Sequence, residues 1–416
     1  MPLPVRTLFV GVLALLTAQC ADPSTAPKPI TALPRALTDA ENRLVDADNR
    51  FTFKLFRELA QQSDPDSSLF LSPLSVAMAL AMAYNGAAGT TEQEMAAALE
   101  LQGFTLGDVN ASYRGLIDLL RGLDRQVTFE IANSIWYRAG WTFEQPFLDA
   151  NRTYFDATVQ ALDFSSPAAA PTINGWVSNR THGRIPTIVP DPVPSDVIMY
   201  LINAIYFKGS WTQQFAPSLT RAAPFHLRDG STATVQMMAH DEPADVRAHY
   251  AAGVTVLDLP YGGGPFTMTI VLPGDPAGID ALVAGLTAEQ WNAWMAGLDS
   301  ASLEVRLPKF RFGYKANLND VLGAMGMPHA FCTSGGPTDF TRMRAAGDAC
   351  LTDVLHKAWV DVNEEGTEAA AATAVGVGVT SAPQPIVVDR PFLFAIRENL
   401  SGTILFLGRM MRPEVS

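Results

Sequence analysis

The chain has 416 residues, 48% of them hydrophobic, and a formal net charge of −13. That much apolar sequence fills a large core, although length alone leaves open one large domain or two or three average ones. The acidity argues against nucleic acid or an anionic membrane surface as the main partner.

Residues 1–20 differ in kind from the rest. Arg6 is their only charge, and residues 7–18 form an apolar run ending near Cys20. The run is shorter than the roughly 20 residues that span a bilayer and has the form of a secretory signal. Leu16-Thr17-Ala18-Gln19-Cys20 is similar to a bacterial lipoprotein signal, which would put a lipid on Cys20; leucine stands one place early, and Gln19 replaces a small residue. The expectation is export to an extracellular or periplasmic setting, or anchorage at the cell envelope through that lipid. Residues 21–43 read as a flexible tether and 44–416 as a single domain. Cys332 and Cys350 are an even pair in the mature chain. In an oxidising compartment they could close a loop of roughly 17 residues, worth about 3 kcal/mol in the chain-entropy picture.

In chain order, Phe51, Leu55, Phe56 and Leu59 recur at helical spacing and predict an amphipathic helix over 48–59. Leu69-Phe70-Leu71 is a short strand. Ser72 as N-cap and Pro73 in the first turn open a helix to residue 84, apolar nearly all round and therefore buried. Thr90-Thr91-Glu92-Gln93-Glu94 reads as a capping box for a helix through 99, and 109–123 as another helix. Strands then dominate. Residues 127–137 alternate, and 197–207 form a long apolar run suited to a central buried strand, with a helix over 173–180 between them. Further strands are predicted at 235–238, 254–259, 266–272, 303–307, 359–362, 391–396 and 402–410, and helices at 288–298 and 318–325. Helices followed by many strands, without βαβ alternation, predict an α+β domain.

One stretch stands apart. Val362-Asn363-Glu364-Glu365-Gly366-Thr367-Glu368 leads into Ala369-Ala370-Ala371-Ala372-Thr373 and then a Gly/Val segment closed by Pro383 and Pro385. Its alanines favour helix, its valines and threonines strand. It is either a surface loop or a segment that lives exposed and later fits between two existing strands.

Catalytic signatures are missing: no G-x-S-x-G elbow, H-E-x-x-H, C-x-x-C or Walker loop. Gly262-Gly263-Gly264 reads as a hairpin turn. The six histidines have no metal-ligand spacing, and His356 reads as a core hydrogen-bonding residue. No enzyme, cofactor or metal site is expected, which weighs against an exported hydrolase.

Glu364 to Thr373 resembles the hinge of inhibitory serpins, the serine-protease inhibitors that trap their targets. Phe70-Leu71-Ser72-Pro73-Leu74-Ser75, Gly86-Ala87-Ala88-Gly89-Thr90-Thr91, Leu201-Ile202-Asn203-Ala204-Ile205-Tyr206-Phe207-Lys208-Gly209-Ser210-Trp211, Leu307-Pro308-Lys309-Phe310, Asp339-Phe340, His356-Lys357-Ala358 and Asp389-Arg390-Pro391-Phe392-Leu393-Phe394 are similar to motifs of the same family, in the same order. With the leader, the chain resembles a bacterial-type exported inhibitory serpin.

The resemblance implies three β-sheets, about eight or nine helices and an exposed reactive-centre loop over about 364–385. It implies a hinge of Glu364, Gly366, Thr367, Ala369, Ala370, Ala371, Ala372 and Thr373, and a breach, where the loop first enters, of Trp211, Lys309 and Glu364. It implies a shutter beneath the parting strands of Ser72, Ser75, Asn203 and His356. Family counting places the reactive bond between Thr380 and Ser381, with Val379 the neighbouring choice; all are small and uncharged, which suits an elastase-like or subtilisin-like serine protease. The implied partner is that protease, held as a covalent acyl complex by a monomeric inhibitor. The alternative is a non-inhibitory serpin that binds or carries. Arg114 and Arg121 share their helix with Asp108 and Asp118, so no glycosaminoglycan site is expected.

Overall fold

A computed structural model of the protein describes residues 29–333, 336–367 and 385–414. Helix α1 (Asp39–Gln62) leads to strand β1 (Leu69–Leu71) and helices α2 (Pro73–Tyr84), α3 (Gly89–Ala98) and α4 (Leu106–Leu120). Strand β2 (Val127–Arg138), helix α5 (Gln145–Phe155), strand β3 (Thr158–Leu162), helix α6 (Ala169–Arg180) and strand β4 (Met199–Ser210) follow. The next strands are β5 (Arg221–His226), β6 (Thr232–Ala239), β7 (Ala244–Ala251), β8 (Val254–Tyr261) and β9 (Phe266–Pro273), before helices α7 (Gly278–Ala284) and α8 (Ala288–Ala296). The chain closes with β10 (Asp299–Leu303), β11 (Val305–Pro308), β12 (Phe310–Asn317), α9 (Asn319–Ala324), β13 (Leu355–Val362), β14 (Gly366–Thr367), β15 (Ile386–Val387), β16 (Phe392–Glu398) and β17 (Ile404–Met410). The nine helices among the described residues and the three sheets make the α+β body expected.

The sheets have seven strands (β1-β17-β16-β9-β8-β7-β10), four (β15-β11-β6-β5) and six (β12-β13-β14-β4-β2-β3). Aromatic rings join the largest two: Phe129 of β2 and Phe207 of β4 pack on Phe266 of β9, and Phe310 of β12 on Phe394 of β16. The apolar α2 is buried behind them, as its composition required.

Three local expectations are corrected. Helix α1 begins at Asp39, not near 48, because Thr38 and Glu41 form a reciprocal capping box: the Thr38 hydroxyl accepts from Glu41 N and the Glu41 carboxylate from Thr38 N. The tether placed over 21–43 therefore ends sooner, since Leu33 and Leu37 already pack on the core. Helix α3 has Ala88 as N-cap and no side-chain cap. The Thr91 hydroxyl instead donates to His329 O at 3.1 Å and accepts from Asp339 N at 2.9 Å, so tertiary partners displaced the local box. The strand expected at 303–307 is broken at Glu304: β10 joins the seven-stranded sheet and β11 the four-stranded one.

Candidate functional site: a hinge entering a parted sheet

Strand β14 is two residues long, yet it divides the six-stranded sheet. Thr367 opposes Val362 of β13 on one side and Gly209 of β4 on the other, and Gly366 opposes Ser210. Only glycine fits at 366. Its φ is +154°, and a Cβ there would lie 2.1 Å from Gly209 O. Thr367 is buried, and its hydroxyl shares a 2.7 Å hydrogen bond with the Tyr261 hydroxyl at the end of β8.

Around this entry the breach residues converge. Trp211 donates its backbone N to Glu365 O and its indole Nε1 to Asn363 O, both at 2.9 Å, and stacks on Tyr261 at 4.4 Å between centroids. Lys309 Nζ lies 2.8 Å from Glu364 Oε2, and the Thr220 hydroxyl donates to Glu364 Oε1 at 2.7 Å. Burial alone would raise the Glu364 carboxyl, but the hydrogen bonds from Lys309 and Thr220 outweigh it and hold the group below its ordinary value. The side chains of this pair are 26% and 12% exposed, so it is less screened than a fully exposed one.

Beyond Thr367 the sheet parts. Among the described residues β13 pairs only with β12 and β14, and β4 only with β2 and β14. A cavity of about 190 Å³ lies between them, lined by Tyr200 and Asn203 of β4, His356 of β13, Ser75 of α2 and, at its far end, Asp196 and Ala349.

The four residues expected to form the shutter meet here: Ser75, Asn203 and His356 line the cavity, and Ser72 is bonded to Ser75 and His356 behind them. The Ser72 hydroxyl donates to Leu405 O at 2.7 Å and accepts from Ser75 N; Ser72 N donates to His356 Nε2 at 3.2 Å; the Ser75 hydroxyl donates to Asn203 O at 3.2 Å. His356 Nε2 thus accepts, the ring is neutral, and burial pushes the imidazole down to about 4. Asn203 donates through Nδ2 to Asn133 Oδ1 at 2.7 Å, and its own Oδ1 is buried without a partner. An orphan of this kind costs about 1–3 kcal/mol. Asn133, Thr220 and Tyr261 belong to these clusters but were missed from sequence, because each is recruited by a partner 70 or more residues away.

Cys332 and Cys350 are joined in a disulfide, with Cα atoms 5.1 Å apart, and both line the far end of the cavity. On α4, Arg114 pairs with Asp118, and Arg121, just past its end, with Asp156. Among the described residues no group of three His, Cys, Asp or Glu side chains could hold a metal ion, and no helix is long and apolar enough to cross a membrane. Cys20, Ala369, Ala370, Ala371, Ala372, Thr373, Val379, Thr380 and Ser381 lie outside the described residues.

An α+β body with three sheets, one of them parted beyond a two-residue strand of the same chain, defines the class of fold. A family model described as Serpin (serine protease inhibitor) matches residues 46–413. A protein named leukocyte elastase inhibitor from Sus scrofa is 36% identical over 376 residues, covering 88% of this chain and 98% of that one. A protein named Iris from Ixodes ricinus is 35% identical over 369 residues, covering 86% and 96%. The solved structure of a cleaved Serpin 42Da superposes with a TM-score of 0.78 at 28% identity, covering 90% of this chain and all of that one. The chain belongs to the serpin family of serine protease inhibitors. The family acts on serine proteases as an inhibitor and is not itself an enzyme. These relatives, from a mammal and a tick, lend no support to the bacterial character suggested by the leader.

Proposed function

We propose that this protein is an exported, monomeric suicide inhibitor of an elastase-like or subtilisin-like serine protease. The target's serine hydroxyl attacks the Thr380 carbonyl and the C–N bond to Ser381 breaks. The new amine leaves with a proton, and Thr380 stays esterified to the protease. The freed loop then enters the sheet as a full strand.

The supporting observation is the register in which β14 already stands. Continued one residue at a time from Thr367, that register would set Ala369 between Phe207 and Val360, and Ala371 between Ile205 and Ala358. Thr373 would fall between Asn203 and His356, and a straight continuation would bring Thr380 level with Asp196 and Ala349, which line the same cavity. Opposed residues in an antiparallel sheet share a face, so on insertion the small side chains would meet the core while Glu368 would face outward. From 367 to 380 the strand would span roughly 46 Å, the length by which an acylated protease would be carried. The small residues Val379, Thr380 and Ser381 and the relative named leukocyte elastase inhibitor favour a protease with a shallow pocket.

Mass spectrometry after incubation with an elastase tests this. The expected products are a loop fragment beginning at Ser381 and an SDS-stable complex with the protease. Cleavage without a complex would favour the binding or carrier reading, and a cut elsewhere would displace the bond.

A further inference from the structure

We infer that residues 30–37 are a strap that holds the hinge in its partly inserted position by gripping the turn between β8 and β9. At one end Ile30 N donates to Gly263 O at 2.9 Å, and the Ile30 side chain lies 3.3 Å from where a Gly263 Cβ would stand. Gly263 N donates in turn to Oδ2 of the buried Asp124 at 2.7 Å. Both polar groups of this turn residue are therefore held by segments outside its own hairpin. At the other end Arg35 clamps both carboxylate oxygens of Glu41 at 2.7 and 2.6 Å and reaches Gly115 O of α4 at 3.2 Å. Leu33, between these anchors, and Leu37, just past Arg35, pack on the core.

The gripped turn is the floor of the hinge. Gly262 N donates to Ser210 O at 2.9 Å, and the Thr212 hydroxyl donates to Gly262 O at 2.8 Å. Ser210 opposes Gly366, and Tyr261, one residue before the turn, carries the hydroxyl bonded to Thr367. Four residues thus lead from the strap to the hinge: Ile30, Gly263, Tyr261 and Thr367. A shift of the turn tip moves Tyr261 and Ser210 together, and with them the floor and the β4 side of the slot that holds Thr367. The strap is a positioning element. Its effect on inhibition rests on the inhibitory reading above, whereas its effect on the hinge does not.

Amide hydrogen exchange on the full chain without protease tests the strap. Ile30→Pro removes the N–H that Gly263 O accepts, and Ile30→Ala keeps it while removing the packing. Exchange in the segments 259–264 and 362–367 is expected to quicken about three- to tenfold in Ile30→Pro, the scale of one hydrogen bond, and less in Ile30→Ala, with β16 unchanged. Faster exchange at 259–264 with none at 362–367 would overturn the strap's role, and so would a rise spread equally over β16. Failure to trap any protease would sink the inhibitory reading and leave this result standing.

Discussion

His356 is buried beside the line along which the sheet parts, with its Nε2 accepting from Ser72 N. Burial lowers its imidazole from an ordinary 6.5 to about 4. Between those values the unfolded chain binds a proton that the folded chain refuses. Its contribution to stability is therefore complete above pH 6.5 and lost as pH falls toward 4. Two and a half pKa units correspond to roughly 3 kcal/mol as an upper bound. His356→Gln keeps an acceptor without titrating. Denaturant midpoints measured from pH 7 to 4 should fall less steeply in the variant, and parallel curves would show that His356 does not titrate against folding. At this scale the sequence was legible where a polar residue stood inside a family motif, as Ser72, Ser75, Asn203 and His356 do. It was silent for Asn133 and Tyr261, whose neighbours in sequence are ordinary strand residues.

Among the elements, β4 and β13 matter because, within the described residues, they do not pair with each other. Each was legible, β4 from its apolar run and β13 from its last four residues, but the space between them has no signature in either strand. β5 was missed for a different reason. Arg-Ala-Ala-Pro-Phe-His carries a proline and little apolar pattern, and it survives as an edge strand paired only with β6. The parted sheet sets a strict demand on the inward face of the loop. Thr367→Arg would place an unpaired charge against Tyr261 in a buried slot, at a cost of several kcal/mol. It should turn the inhibitor into a substrate: the same bond cut, the loop released, and no SDS-stable complex on a gel. A persisting complex would mean that the loop does not enter at this point.

For the whole molecule, the proposed mechanism requires that the uncleaved chain is not in its most stable arrangement, since loop insertion must release free energy. Gly366 and Thr367 are in place, and on the inhibitory reading the residues up to Thr380 would follow as β4 and β13 move further apart. On that reading the native state would be held by a barrier. Cutting the loop with a protease that is not trapped should raise the melting temperature by tens of degrees, read by calorimetry on the purified cleaved protein. An unchanged melting curve would leave the slot as a permanent feature and favour a binding role. Cooperative behaviour on this scale was legible only through the family resemblance, because no local propensity records which of two complete folds lies lower.

Trp211 gives this design a practical consequence. Its indole is buried, stacked on Tyr261 and bonded to Asn363 O at the root of the loop. Any displacement of the hinge changes the polarity and hydrogen bonding around that one ring. The chain has seven tryptophans, so a variant retaining Trp211 alone would emit light whose colour follows the position of the loop, with no dye attached and no protease present.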